Sequence, residues 1–354
     1  MFKESAIAGC LIGMAVGDAL GLPRESLSTR RAERLFGPID RHQFLFGHGM
    51  FSDDTEHALM TAQGLLVSGG EPERFLRSLS WRLRGWLLGF PFGIGKATLR
   101  ACIKLWLGWS PKTSGVWSAG NGPAMRAPIL GVCFGAQPDQ LRSLIRYGTR
   151  ITHLDPKAEW GALAIGQAAH LAANSAGQPL IVTNTIRAII DILPAEASEL
   201  TALIQRVQSS IASSQTTEHF AIELGLQRGV TGYTFHTVPV VLHAWLSFPD
   251  EYRTAVQTVI RCGGDTDTTA AIVGAIAGAR LGTKLIPESW RTHLAEWPRD
   301  LRWMERLSHA LTQMLEDGKP RRAIPASWLG IIARNVLFDA VILGHVLRRL
   351  LPPY

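Results

Sequence analysis

The chain has 354 residues, 46% of them apolar, with 36 Lys and Arg against 29 Asp and Glu and a formal charge of +7. Hydrophobicity is too high and charge too dilute for a disordered chain, and Cys10, Cys102, Cys133 and Cys262 are too few and scattered for a disulfide framework or a Cys-based zinc site. Beyond residue 317, Lys319, Arg321, Arg322, Arg334, Arg348 and Arg349 stand against Asp339 alone, so most of the positive excess belongs to the tail and no extended nucleic-acid groove is expected on the main body.

In chain order, good helix formers with apolar residues three and four apart predict helices over residues 6–20, 56–66, 72–88, 158–173, 185–192, 200–213, 238–245, 253–259 and 268–281. The run from Ile7 to Cys10 resembles a lipoprotein cleavage box. Too few residues precede Cys10, however, Glu4 falls in the would-be leader, and the apolar pattern continues to Asp18, so a buried helix is expected instead. A short strand over residues 180–183 is the alternative to a helix there, and the helical pattern of 185–192 absorbs it more simply. Breakers fall at Gly69-Gly70, 89–95, 120–123, Leu193-Pro194 and Gly263-Gly264. Trp81, Trp86, Phe90, Phe92, Trp106, Trp109 and Trp117 are expected mostly in the core, with some shaping a substrate side. No uncharged apolar run reaches the roughly 18 residues of a membrane span.

Glycines recur every fourth residue at Gly9, Gly13, Gly17 and Gly21 and again at Gly274, Gly278 and Gly282. Each interior glycine costs about 1 kcal/mol relative to alanine, so two such stripes predict central helices packed face to face. The fold class expected is compact all-α, with one domain over residues 1–317. A helical extension follows over 318–354, where Gly318, Lys319, Pro320 and Pro325 form a linker and residues 328–351 a hydrophobic helix with a basic far end. That helix is expected to pack on the domain or to pair with a second copy as a homodimer; a membrane partner is not expected.

Chemistry concentrates in two acidic clusters, Ser52-Asp53-Asp54-Thr55 and Gly263-Gly264-Asp265-Thr266-Asp267-Thr268, each just before a helix. Such residues cap helices, but one cap needs one residue, and each cluster offers two carboxylates with hydroxyls beside them. Brought together, four carboxylates would repel unless a cation compensated, and oxygen ligands without His or Cys select Mg²⁺, Mn²⁺ or Ca²⁺ over zinc.

These residues resemble the ADP-ribosylglycohydrolase family. The likeness spans roughly residues 5–317: residues 13–21 with Pro23 and Glu25, then 52–55, 120–126, Thr152-His153 with Pro156, Gly232-Tyr233, 263–268, and Ile286-Pro287 with Trp290, all in the family's order. The resemblance implies an all-α hydrolase with two divalent cations, Mg²⁺ or Mn²⁺, cleaving the glycosidic bond between ADP-ribose and a protein or small-molecule acceptor; the sparse cysteines separately lead to the expectation of a reduced, cytoplasmic setting. An inactive ADP-ribose-binding protein, or a metallohydrolase of a related nucleotide or phosphate ester, is the alternative. Carried across, the metal ligands fall on Ser52, Asp53, Asp54, Asp265, Asp267 and Thr268, the catalytic carboxylates on Glu25 and Asp54, and the substrate contacts on Asn121, Gly122, Met125, His153 and Tyr233. Ser52 replaces a more common Thr, Thr269 stands where Asn is frequent, and His236 lies where Asp is often found.

Overall fold

The computed structural model describes residues 2–44 and 46–352. Among these are seventeen α-helices and no multi-residue strand, so the chain is all-α.

Its centre is the antiparallel pair Phe2–Gly21 and Thr266–Leu281. A Cβ added to Gly9 would lie 2.0 Å from the Gly278 carbonyl oxygen, one on Gly13 2.3 Å from that of Gly274, and one on Gly21 2.1 Å from that of Thr266. The two backbones therefore touch along the expected stripe, and only hydrogen fits between them. This register also brings the end of the first helix, with Asp18, beside the start of the second, where the Thr266 hydroxyl donates to the Gly21 carbonyl at 2.9 Å. Helices Asp53–Ser68, Gly122–Phe134 and Leu301–Asp317 pack on the first of the pair; Pro156–Asn174, Thr234–Ser247 and Tyr252–Arg261 pack on the second.

Two expectations are corrected. The breaker read at 120–123 opens helix Gly122–Phe134, whose first turn tolerates Pro123 because its missing N–H would be unpaired there anyway. Residues 180–183 form no strand, as the preferred helical reading expects, and helix Val182–Ile190 begins inside them. Of the seven aromatics expected in the core only Trp86 is buried. Helix Pro72–Leu88 turns Phe75, Leu79, Leu83 and Trp86 inward, which leaves Trp81 on the opposite face. Exposed Trp81 and Trp109 instead carry the Arg84 guanidinium and the Lys104 ammonium over their rings, each at 4.9 Å.

Past Gly318, the chain runs along helix Asp53–Ser68: the Arg321 N–H donates to the Leu66 carbonyl at 2.9 Å, and Gln63 exchanges two bonds with the Ile324 backbone. Helix Trp328–Arg349 then turns back onto the main body and buries Arg334, Asn335, Phe338 and Ile342. Phe338 and Ile342 pack with Leu22, Phe44 and Met50. Its outward face shows Leu329, Ala333, Val336, Ala340, Leu343, Leu347 and Leu350, alternately four and three residues apart. Although uncharged runs are short, two helices are long and apolar enough to cross a membrane. Lys3–Arg24 is 89% buried in its apolar window, as a core helix, and Trp328–Arg349 is 22% buried.

Candidate active site

The first acidic turn is built on buried charge. The Phe51 N–H donates to Glu296 Oε1 at 2.9 Å and its carbonyl accepts from the Arg334 guanidinium at 2.5 Å. One residue on, the Ser52 N–H donates to the Asp18 carboxylate at 2.9 Å, as do the Thr55 N–H at 3.1 Å and the Thr55 hydroxyl at 2.6 Å. Asp18 thus satisfies two of the unpaired N–H groups at the start of helix Asp53–Ser68, and Ser52 Oγ accepts weakly from the Asp54 N–H at 3.3 Å. Glu56 turns away from the cavity to Arg299 and to the Trp86 indole N–H, 2.6 Å away. Burial pushes its carboxyl up, but Arg299 and Arg334 outweigh that and hold it below the ordinary range.

The second turn is built on backbone. Gly263 and Gly264 take φ of +69° and +82°, and a Cβ on Gly264 would sit 2.0 Å from the Val230 carbonyl oxygen. The Val230 N–H donates to the Gly263 carbonyl at 3.0 Å, the Asp265 N–H to the Val230 carbonyl at 2.8 Å, and the Ser26 N–H to the Gly264 carbonyl at 2.8 Å. Through that last bond the Glu25 segment joins the turn.

The two turns meet. The Thr268 hydroxyl donates to Asp54 Oδ2 at 3.0 Å. Glu25, Asp265 and Asp267 each present an oxygen, and these three atoms lie within 4.8 Å of one another. Asn121 Nδ2 reaches in from the start of helix Gly122–Phe134, donating to Asp265 Oδ2 at 2.7 Å and to Thr237 Oγ1 at 3.0 Å. All of these but Thr237 edge one cavity of about 670 Å³, whose wall holds Glu25, Asp53, Asp54, Asp265, Asp267 and Thr268 together with Asn121, Gly122, Met125 and His153.

Two of the residues carried across from the family stand behind that wall. The Ser52 hydroxyl is one bond back, 3.2 Å from Asp54 Oδ2, and Gly232 lines the cavity where Tyr233 was expected. The Tyr233 hydroxyl accepts from Lys157 Nζ at 3.0 Å and its ring meets His236 edge-on at 5.0 Å. His236 itself pairs with the Thr231 hydroxyl, and Thr269 Oγ1 donates to the Asp265 carbonyl at 2.8 Å, which steadies the second turn from within its own helix. His153 sits so close to the glycine loop that a Cβ on Gly120 or Gly122 would lie 3.0 or 3.1 Å from its ring. Burial and then the Arg126 charge drive this imidazole down to about 3, so it works as a neutral group whose Nδ1 is 2.8 Å from the Thr152 hydroxyl.

Several residues of the site were not singled out from sequence. Asp18 lies in an apolar run whose only signal is a carboxylate on a core helix. Gly93 and Lys96 also line the cavity, and a Cβ on Gly93 would be 3.6 Å from Asp53 Oδ1. Glu56, Glu296, Arg299 and Arg334 are scattered over most of the chain and meet only in space.

The electrostatics suit a cation. Burial first, and then the neighbouring carboxylates, push Asp53, Asp54 and Asp267 well above the usual carboxylate range. Burial raises Asp18 to about 6 against its hydrogen bonds, and burial together with Asp265 raises Glu25 to about 7 despite the nearby Arg349. Asp54 Oδ1 is buried without a hydrogen-bond partner. A lone pair left bare among crowded carboxylate and hydroxyl oxygens is the donor chemistry of a hard divalent ion.

By sequence and by all-α fold, the chain matches the ADP-ribosylglycohydrolases. A family model of that description matches residues 2–321, and the chain belongs to this family. It is 25% identical over 295 residues to the ADP-ribosyl-[dinitrogen reductase] glycohydrolase of Rhodospirillum rubrum, covering 81% of this chain and 89% of that one. It is likewise 25% identical to human ADP-ribosylhydrolase ARH3, covering 81% and 88%. A solved structure described as an ADP-ribosylglycohydrolase-related protein complex superposes with a TM-score of 0.63 at 26% identity, over 88% of this chain and 99% of its own.

Proposed function

We propose that this protein hydrolyses the glycosidic bond between ADP-ribose and an acceptor, releasing ADP-ribose and the unmodified acceptor, in the cytoplasm. One observation carries the reading: the Thr268 hydroxyl on Asp54 joins two acidic turns more than two hundred residues apart at the rim of one cavity. A protein or small-molecule conjugate of ADP-ribose is the substrate class that the family and its named relatives support.

Asp53, Asp54, Asp265, Asp267 and Thr268 would hold two Mg²⁺ or Mn²⁺ ions, with Glu25 beside them and Ser52 supporting Asp54 from behind. When bound, such ions neutralise the carboxylates, orient sugar hydroxyls and make a water more acidic. The chain's own groups do the rest. Asn121 fixes the Asp265 carboxylate, and the glycines at 120 and 122 let the nucleotide approach the loop backbone and the neutral His153. Glu25, whose carboxylate stands beside Asp265 and Asp267, is placed to accept a proton from the attacking water. Asp54 is the other carboxylate placed for that role. The water's oxygen attacks the anomeric carbon, the bond to the acceptor breaks with its electron pair going to the acceptor, and the acceptor takes up the proton that the carboxylate removed from the water.

The experiment compares wild type with Asp53→Asn and Asp265→Asn, measuring ADP-ribose release from a panel of ADP-ribosylated substrates by mass. Loss in both variants, with the pyrophosphate intact in the wild-type product, is expected. Unchanged turnover in both, or a product cleaved within the pyrophosphate, contradicts the reading.

A further inference from the structure

We propose that the C-terminal helix Trp328–Arg349 is a strap that positions the Glu25 segment at the cavity, with His345 and Arg349 as its positioning residues. The inference rests on the reading that Glu25 works at this site, and it concerns a helix beyond the stretch matched by the family model, which ends at residue 321.

The helix touches the cavity's supports at both of its ends. Near its start, Arg334 bonds the Phe51 carbonyl and pairs with Glu296, so it braces the residue that precedes the first acidic turn. Near its end, the His345 ring lies 5.2 Å from that of Phe36, stacked, and meets Phe44 edge-on at 5.0 Å. Those two contacts aim Nε2 at the Pro23 carbonyl, 2.9 Å away. One turn later Arg349 donates to the Glu25 carbonyl at 3.0 Å, and Arg31 donates in turn to the Arg349 carbonyl.

Both bonds from the strap end on main-chain oxygens. They fix where residues 23 and 25 stand without hydrogen-bonding the Glu25 carboxylate, which the Arg349 charge reaches only through space and which faces Asp265 and Asp267. The segment needs such a hold. Ser26 takes a φ of +58°, a conformation that residues other than glycine keep only when their surroundings enforce it. On the cavity side the Ser26 N–H is fastened to the Gly264 carbonyl. The Glu25 segment is thus pinned between the second acidic turn and the last two turns of the strap, and its placement depends on both.

The test uses the full-length protein with Arg349→Ala, Arg349→Lys and His345→Phe, the last keeping a ring on Phe36 while removing the donor. Amide hydrogen exchange over residues 22–28 is read beside kcat and KM for ADP-ribose release. Arg349→Ala and His345→Phe should each speed that exchange and lower kcat roughly tenfold, the loss of one such bond, with KM and the melting temperature little changed. Arg349→Lys, which keeps a charged donor, should restore most of both. Wild-type exchange over 22–28 in Arg349→Ala and His345→Phe overturns the strap, as does faster exchange with an unaltered kcat. If the wild-type protein releases no ADP-ribose yet the exchange rises in these variants, the strap stands and the hydrolase reading falls.

Discussion

The turn at Ser52–Thr55 and the turn at Gly263–Thr268 deliver the same goods, carboxylates at a helix start facing one cavity, but they are fastened differently. The first hangs on buried side-chain charge, with Asp18 under its N–H groups and the Glu296 and Arg334 pair gripping Phe51. Main chain secures the second, where two left-handed glycines let residues 263–265 lie directly on Val230. The first should therefore fail when a charge is removed, and the second when a methyl group is added. Beyond the bonds that Asn121 and Thr268 make to Asp265 and Asp54, both turns are anchored by groups outside the lining carboxylates.

The largest expected effect falls on the charged support. Arg334→Ala strands Glu296 in a buried site, and removing one partner of a buried ion pair costs about 3–5 kcal/mol; chemical denaturation measures it, and a loss below about 1 kcal/mol would show that the pair does not carry the turn. Next comes Gly264→Ala. It places a Cβ against the Val230 carbonyl and forces alanine into positive φ, worth about 1–3 kcal/mol of backbone strain. Structure determination of this variant should show the 229–232 segment displaced and the Ser52–Thr55 turn unmoved, whereas an unmoved 229–232 segment would contradict the backbone account. Thr268→Val is the smallest of the three, since it deletes the one hydroxyl that joins the turns for about 1 kcal/mol. Its signature is a weaker hold on divalent cations with little change in melting temperature.

These contrasts also explain what could be read from residues alone. The glycine stripes were legible because a four-residue repeat of an unfavourable helix residue has one ready cause, another backbone in contact. The acidic turns were legible because carboxylates beside hydroxyls exceed what capping requires. Asp18 was hidden by its apolar neighbours, and the Glu56, Arg299, Glu296 and Arg334 network by its spread along the chain. Helix Gly122–Phe134 was masked by Gly122 and Pro123 in its first turn and by Pro128 inside it. The aromatics of residues 81–117 misled because hydrophobicity counts residues without saying where they sit: Trp81 lies on the outer face of its helix, and Phe90, Phe92, Trp109 and Trp117 lie exposed between helices. Leu329, Val336 and Leu343 on the C-terminal helix make the same point.

Acidity offers a further handle on the cavity. Asp18 and Glu25 are raised to about 6 and 7, and Asp53, Asp54 and Asp267 are also raised, so in the ion-free protein these groups bind protons more tightly than in the unfolded chain. Their ionisation removes stability as pH climbs from about 4 through 7. Mg²⁺ or Mn²⁺ should then raise the melting temperature most near pH 8 and progressively less as pH falls through 6, where protons compete for the same oxygens. A cation-induced rise that is equal at pH 5 and pH 8 would contradict this.

The central claim is that both turns grip the same cations, and calorimetric titration of Mn²⁺ into ion-free protein at pH 8 tests it most directly. Wild type should bind tightly, while Asp54→Asn and Asp267→Asn, one from each turn, should each weaken binding at least roughly tenfold, the loss of a charged ligand. Wild-type affinity in either variant would mean that its turn stands apart from the ions and that the cavity is not a shared metal site.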